Sequence, residues 1–241
     1  MCTVTYIPQT EGNFILSSNR DESAARSPHN LTCSAAGGIE LIFPRDATAG
    51  GTWIAASADN RVVCVLNGAF VKHSHQPPYS RSRGLMALDF FQQPNAAAFF
   101  EKYGFGGMEP FTMIIVDNGQ LYELRWDGQQ THIRLLNSGE CHIWSSATLY
   151  PPEVQQRRNG WFGGWLDGRQ DFSLEAIQHF HRTGGAGDTW NGFLMNRNNV
   201  VQTVSITNVV KKNGSIEMIY NDLLREAVKR EEVALKAVFS D

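Results

Sequence analysis

Phe14-Ile15-Leu16-Ser17-Ser18-Asn19-Arg20-Asp21-Glu22, behind Met1-Cys2 and the run Thr3–Ile7, is the stretch that decides the fold. Residues 3–7 are β-branched and aromatic, Pro8-Gln9-Thr10-Glu11-Gly12 is loop-forming, and Phe14–Ser18 is again strand-like, so the two runs predict an antiparallel hairpin. Pairing about the loop at 8–12 makes opposed residue numbers sum to about 20–21, which puts Cys2 opposite Ser18 or Asn19. Neighbouring strands lie about 4.8 Å apart, so Asn19-Arg20-Asp21-Glu22 is expected to emerge beside residue 2.

Cys2 gives that placement a chemical meaning. Met1 is a start residue of the kind trimmed when the next side chain is small. Trimming leaves a thiol and a free α-amine on one residue. The amine titrates at roughly 7.7–8.0 and the thiol at about 8.5, so near neutral pH one acts as base for the other. A neighbouring guanidinium favours thiolate, and a carboxylate orients the terminal ammonium. If Met1 stays, the Cys2 nitrogen is an amide and cannot act as a base. The structural alternatives are a small buried apolar residue at the start of a strand, and a solvated turn with local ion pairs.

The rest of the chain sets bounds. Its 241 residues suffice for one large domain, 1–241, with a substantial core. A net charge of -3 supplies no basic field to recruit nucleic acid or an anionic membrane. The apolar run at 13–18 is too short to span a bilayer, and no signal-peptide pattern opens the chain, so a cytoplasmic location is expected. Cys2, Cys33, Cys64 and Cys141 are widely spaced with no C-x-x-C pair, which argues against structural zinc and a redox dithiol. No metal or cofactor is expected.

Strand patterns continue at Ile39–Phe43, Thr52–Ser57 and Arg61–Leu66. Helical patterns follow at Ser82–Phe91 and Asn95–Tyr103. Phe111–Asp117 and Leu121–Trp126 flank Asn118-Gly119, a hairpin signal, and Thr131–Leu136 and His142–Ala147 extend that sheet. Helices are expected at Pro151–Trp165 and Ser173–His181, strands at Val200–Asn208 and Ser215–Tyr220, and a charged amphipathic helix at Leu223–Val238. Strand clusters alternating with helix pairs predict an α+β fold of antiparallel sheets covered by helices.

Several blocks together resemble a family. Met1-Cys2, Phe14–Glu22, Arg26-Ser27-Pro28, Pro44-Arg45-Asp46 with Gly50-Gly51-Thr52-Trp53-Ile54, and Val65-Leu66-Asn67-Gly68 resemble the NRDE family, also called TANGO2 (transport and Golgi organisation 2). The resemblance implies the N-terminal nucleophile (Ntn) hydrolase fold, a four-layer α-β-β-α sandwich. More faintly it extends to the choloylglycine hydrolase and penicillin acylase branch, in which an N-terminal cysteine attacks an amide. It implies Cys2 as nucleophile, Arg20 and Asp21 as its neighbours, and Asn67 as oxyanion donor. Where the relatives place a second Asn, Ser146 stands here, and Arg197 is the candidate for their late Arg. The implied function is hydrolysis of a carbon–nitrogen amide or related acyl bond in a small molecule. The alternative is a non-catalytic haem- or lipid-binding and trafficking protein, with His73 and Met195 as candidate haem ligands.

Other motifs point to structure. Gly50-Gly51-Thr52-Trp53 lacks the P-loop lysine and spacing and reads as a tight turn into a strand. His73-x-His75 and His179-x-His181 lack the partners of a metal site, and in a helix i and i+2 do not share a face. Gly184-Gly185-Ala186-Gly187 follows a helix, whereas a dinucleotide loop opens one.

Overall fold

Alternation of apolar residues along β1 (Cys2–Pro8) and β2 (Phe14–Glu22) sends two faces of one sheet into two different cores. The computed structural model describes residues 2–236, with Cys2 through its backbone. The remaining strands are β3 (Leu31–Ala36), β4 (Ile39–Pro44), β5 (Ile54–Ser57), β6 (Arg61–Asn67), β7 (Phe111–Asp117), β8 (Gln120–Trp126), β9 (Thr131–Leu136), β10 (His142–Ser145), β11 (Asn196–Arg197), β12 (Val201–Lys212), β13 (Ser215–Asp222) and β14 (Ala227–Ala234). The helices are α1 (Arg83–Asp89), α2 (Ala96–Lys102), α3 (Pro152–Leu166) and α4 (Leu174–Thr183). Side chains cap three of them: Ser82, Asn95 and Ser173 accept from the N–H groups of Leu85, Ala98 and Ala176.

The first sheet runs β10-β1-β2-β12-β13-β14, with β11 beside β12, and the second runs β3 through β9 in chain order. All pairings are antiparallel. Val4, Tyr6 and Leu16 face Ile54, Val62, Ile114 and Val116 in a core between the sheets. Ile7 and Ile15 face the other way, onto Phe162 of α3 and Phe180 of α4. Met86 of α1 and Phe99 of α2 pack on Val63 and Ile115 of the second sheet. The order of layers is α-β-β-α, the sandwich expected above.

Three expectations are corrected, the first of them at His142–Ala147: the expected extension of the sheet of β7, β8 and β9 is not made there, and β10 pairs instead with β1 at the edge of the first sheet. The first hairpin pairs Cys2 with Arg20 and Pro8 with Phe14, a sum of 22 in place of 20–21, so Val4 and Thr3 oppose Ser18 and Asn19. The reason is the loop: β1 runs on through Pro8, the reversal is a 3₁₀ turn at Thr10–Gly12, and Gln9 N–H reaches Asn13 O at 2.9 Å. β2 also runs on through Glu22, so Asn19–Glu22 is strand and not an emerging turn. The third correction is the C-terminal helix. Residues 227–234 form an edge strand paired with β13 from Ala227↔Asp222 to Ala234↔Ser215. Only Val233 of its side chains is buried, and the charged run Lys229-Arg230-Glu231-Glu232 lies exposed. Such a run suits a solvated helix face and a protected sheet edge equally well, and pairing with β13 decides between them. Residues 237–238 of the expected helix lie outside the described residues.

Candidate active site

The ladder determines what meets at the amino end of β1. Arg20 lies directly across from Cys2 on one side, and on the other Thr3 pairs with Ser145 at the end of β10. Ser146 follows β10, and its hydroxyl donates to the Asn67 carbonyl at 2.8 Å, tying β10 to the end of β6. Gly68, at φ +80°, lies against Ala147 and Thr148, where a Cβ would come within 3.0–3.1 Å of their side chains. Cys2, Arg20, Asn67 and Ser146 therefore converge at backbone level.

Arg20 and Asn67 also line one cavity of about 480 Å³, together with Trp53, Glu22, Asp46 and, across from them, Arg83 and Glu109. That volume is in the range of small-molecule sites. The Arg20 guanidinium is 4.0 Å from the Trp53 ring centre, donates from Nη1 to the Arg26 carbonyl at 2.9 Å, and pairs with Asp46 through Nη2. Asp46 is held in place by the N–H groups of Thr48 and Ala49 at 3.0 and 2.8 Å and by a second ion pair with Arg26 at 2.8 Å. Burial alone would raise its carboxyl, but the Ala49 N–H, Arg20 and Arg26 outweigh it and hold Asp46 below the usual carboxylate range. The Asn67 side-chain amide has no hydrogen-bond partner among the described residues and is free to donate into the cavity.

The glycine motif builds one wall. Thr52 N–H donates to Gly84 O at 3.0 Å, and an added Cβ on Gly51 would sit 2.4 Å from the Gly84 carbonyl carbon. The tight turn thus seats the start of α1 on the loop before β5, with Trp53 6% exposed beside Arg20.

Asp21 faces the other way. Its fully buried carboxylate accepts from Tyr150 Oη and Thr203 Oγ1, each at 2.7 Å, behind the first sheet and away from the cavity. Burial pushes the Asp21 carboxyl up, opposed by Arg158 and by the two hydroxyl donors. Ser146 gives its hydroxyl to Asn67 O and contacts Thr148 Oγ1 at 3.0 Å, and it does not line the cavity. Arg197 also lies off the cavity, donating to the Trp190 and Leu149 carbonyls at 3.1 Å and stacking near Tyr150. His73 hydrogen-bonds Glu109 at 3.0 Å, whereas Met195 is buried behind the first sheet with its N–H on Thr203 Oγ1, so the structure does not bring those two together. Among the described residues no group of three or more His, Cys, Asp or Glu is placed to hold a metal ion. No helix among them is long and apolar enough to cross a membrane.

Sequence reasoning missed Arg158, Tyr150 and Asp46. Arg158 had a readable signal: in α3 it lies four residues from both Val154 and Phe162, on the buried stripe of the helix. A charged residue on such a stripe needs partners, and here they are the hydroxyls of Thr3 and Ser145 and the carbonyls of Asn191 and Gly192.

Two facing antiparallel sheets between helix layers, with a cysteine at the head of β1 opposite the cavity-lining Arg20, define the class: this is an Ntn-hydrolase-like fold. It is similar to conjugated bile acid hydrolase from Clostridium perfringens in a mutant and a variant form. Their TM-scores are 0.54 and 0.55 at 11% and 9% identity, covering 98% and 100% of this chain and 97% and 100% of those chains. It is also similar to the Caenorhabditis elegans ortholog of N-acylethanolamine-hydrolyzing acid amidase, with a TM-score of 0.51 at 15% identity over 87% of this chain and 92% of that one. At such identities the likeness speaks for the fold. Residues 1–161 match the family described as Transport and Golgi organisation 2, and the chain belongs to that family. No curated protein matches it in sequence.

Proposed function

We propose that this protein is a cysteine N-terminal nucleophile hydrolase that cleaves a carbon–nitrogen amide or related acyl bond of a small molecule. The observation that carries the reading is the register: Arg20 sits directly across from Cys2 and lines the same cavity as the Asn67 amide, which has no partner among the described residues. Directly opposed residues share a face of an antiparallel pair, so a nucleophile at position 2 works on the cavity side. In the trimmed chain the α-amine takes the thiol proton and the thiolate attacks the carbonyl carbon. The Arg20 guanidinium favours the thiolate. Asn67 donates to the oxyanion that forms, an interaction worth about 2.7–4 kcal/mol. The α-ammonium then protonates the leaving nitrogen, and water, activated by the same amine, hydrolyses the thioester. Asp21 orients the amine from behind the strand, since the ladder runs toward Asp21 from the Cys2 nitrogen. Ser146 fixes the Asn67 backbone, and Arg197 braces Tyr150.

The experiment is an intact-mass measurement followed by turnover of an amide and acyl panel. Chains beginning at Cys2 should hydrolyse a member of the panel. Chains retaining Met1, and a folded Cys2→Ala variant, should not. Unchanged turnover in Cys2→Ala removes the mechanism.

A further inference from the structure

Behind β1 lie two buried charges that are not in contact. Arg158 is fully buried on α3 and forms no ion pair among the described residues. Asp21, equally buried, has hydroxyl donors and no cation at ion-pair distance among those residues. An isolated buried charge is costly, so each needs an account of what stabilises it.

Tyr150 links them. Its hydroxyl donates to Asp21, and its ring centre lies 4.0 Å from the Arg158 guanidinium carbon. On the other side the guanidinium is 4.6 Å from the Phe193 ring, so it is sandwiched between two aromatic faces. Its edge nitrogens are fixed as well. Nη2 donates to Thr3 Oγ1 and Nε to Ser145 Oγ at 3.2 Å, and Thr3 and Ser145 oppose one another in the β1–β10 ladder. Nη1 donates to the Gly192 carbonyl at 3.0 Å. One side chain thus clamps the strand pair at the residue after Cys2 and pins the loop that follows α4.

We propose that Arg158 is a positioning residue for the nucleophile: it holds Thr3, and thereby the amino end of β1, and supplies the counter-charge to Asp21 across the Tyr150 ring. This rests on the reading of Cys2 as nucleophile and Asp21 as the group that orients its amine. Apart from the α-amine that Asp21 orients in that reading, the other described groups around the pair do not supply that counter-charge. Thr203 is neutral, and His181 is buried on α4 with its ring bonded to Thr5 and Asn19. Arg197 faces the Tyr150 ring at 5.5 Å and is partly exposed, and on the far face of β2 Arg20 is paired with Asp46.

The test follows the Asp21 carboxyl directly, by ¹³C NMR titration of aspartate-labelled full-length protein with the signal assigned through Asp21→Asn. Arg158→Met should raise the Asp21 midpoint by about one pH unit or more, the effect of an opposite charge at close range. Arg158→Lys should recover part of that shift. Arg158→Gln keeps a hydrogen-bonding side chain and removes the charge, and it should raise the midpoint likewise if Arg158→Met does not fold. A midpoint unmoved in folded Arg158→Met, or unmoved in Arg158→Gln where Arg158→Met fails to fold, overturns the proposal. The titration needs no turnover, so a Cys2→Ala enzyme that remained active would sink the hydrolase reading and leave this measurement standing.

Discussion

Gly51→Ala tests how the cavity wall is held. The built Cβ would lie 2.4 Å from the Gly84 carbonyl carbon, 2.7 Å from its oxygen and 2.8 Å from Leu85 N. All three are backbone atoms, so no side chain can rotate away. Restoring an ordinary contact of about 3.4 Å or more requires the start of α1 to move by roughly 1 Å. That movement strains the Thr52 N–H to Gly84 O bond, worth about 1 kcal/mol net. Overpacking adds about 1–3 kcal/mol, so the expected loss is about 2–4 kcal/mol. Gly50→Ala is the internal control. Gly50 has φ +70° with nothing within 4 Å of its built Cβ, so its cost is the left-handed backbone alone, about 1–2 kcal/mol. Urea unfolding monitored by tryptophan fluorescence measures both. Gly51, Gly84 and Arg83 all line the cavity, so Gly51→Ala should also weaken whatever binds there, whereas Gly50→Ala should not. Gly51→Ala within about 0.5 kcal/mol of wild type, or no worse than Gly50→Ala, refutes the reasoning.

The remaining expectations concern charge and chemistry. Burial and Arg158 push the His181 ring down to about 3. The unfolded state therefore takes up a proton below about pH 6.5 that the folded state refuses, and stability is fully present above that pH and falls as pH drops, by up to about 1.4 kcal/mol per unit. The stability difference between wild type and His181→Gln should shrink between pH 6.5 and 4, and a constant difference counts against it. Asp46→Asn leaves the buried Arg20 without its carboxylate and should cost about 3 kcal/mol by urea unfolding, since breaking a buried pair strands a charge. Because the Asp46 carboxyl is held low in the fold, its contribution is present above about pH 4 and is lost on acidification, so the variant should approach wild type in acid. Asn67→Ala should lower kcat on the order of a hundredfold with KM little changed, and an equal rise in KM instead would assign Asn67 to ground-state binding.

Much of the architecture was legible in local pattern. The strand runs, the capped helices and the tight turn at Gly50–Trp53 all follow from periodicity and turn chemistry, and most fall where expected. What escaped depends on partners remote in sequence. The hairpin register turns on a 3₁₀ reversal at Thr10–Gly12, and moving the sum to 22 decides that Arg20, not Ser18, faces Cys2. Strand alternation then sends Asp21 to the helix layer, so the adjacent Arg and Asp of one motif serve opposite faces of the sheet. Arg158 became legible only once α3 was packed against β1 and β10.

The order of strands along the chain has a consequence for biosynthesis. All of the second sheet lies between Leu31 and Leu136, each strand beside its predecessor, so it can close as the chain lengthens. The sheet around the first hairpin cannot be completed so early. The hairpin's neighbour β12 is made late, and Ser17 finds its partner Asn208 across 191 positions. Contacts that span such lengths carry the largest loop-closure cost and form last. Asp21 acquires Thr203 only at that stage, so a ribosome-bound or C-terminally truncated chain holds the second-sheet wall of the cavity beside an incomplete first sheet.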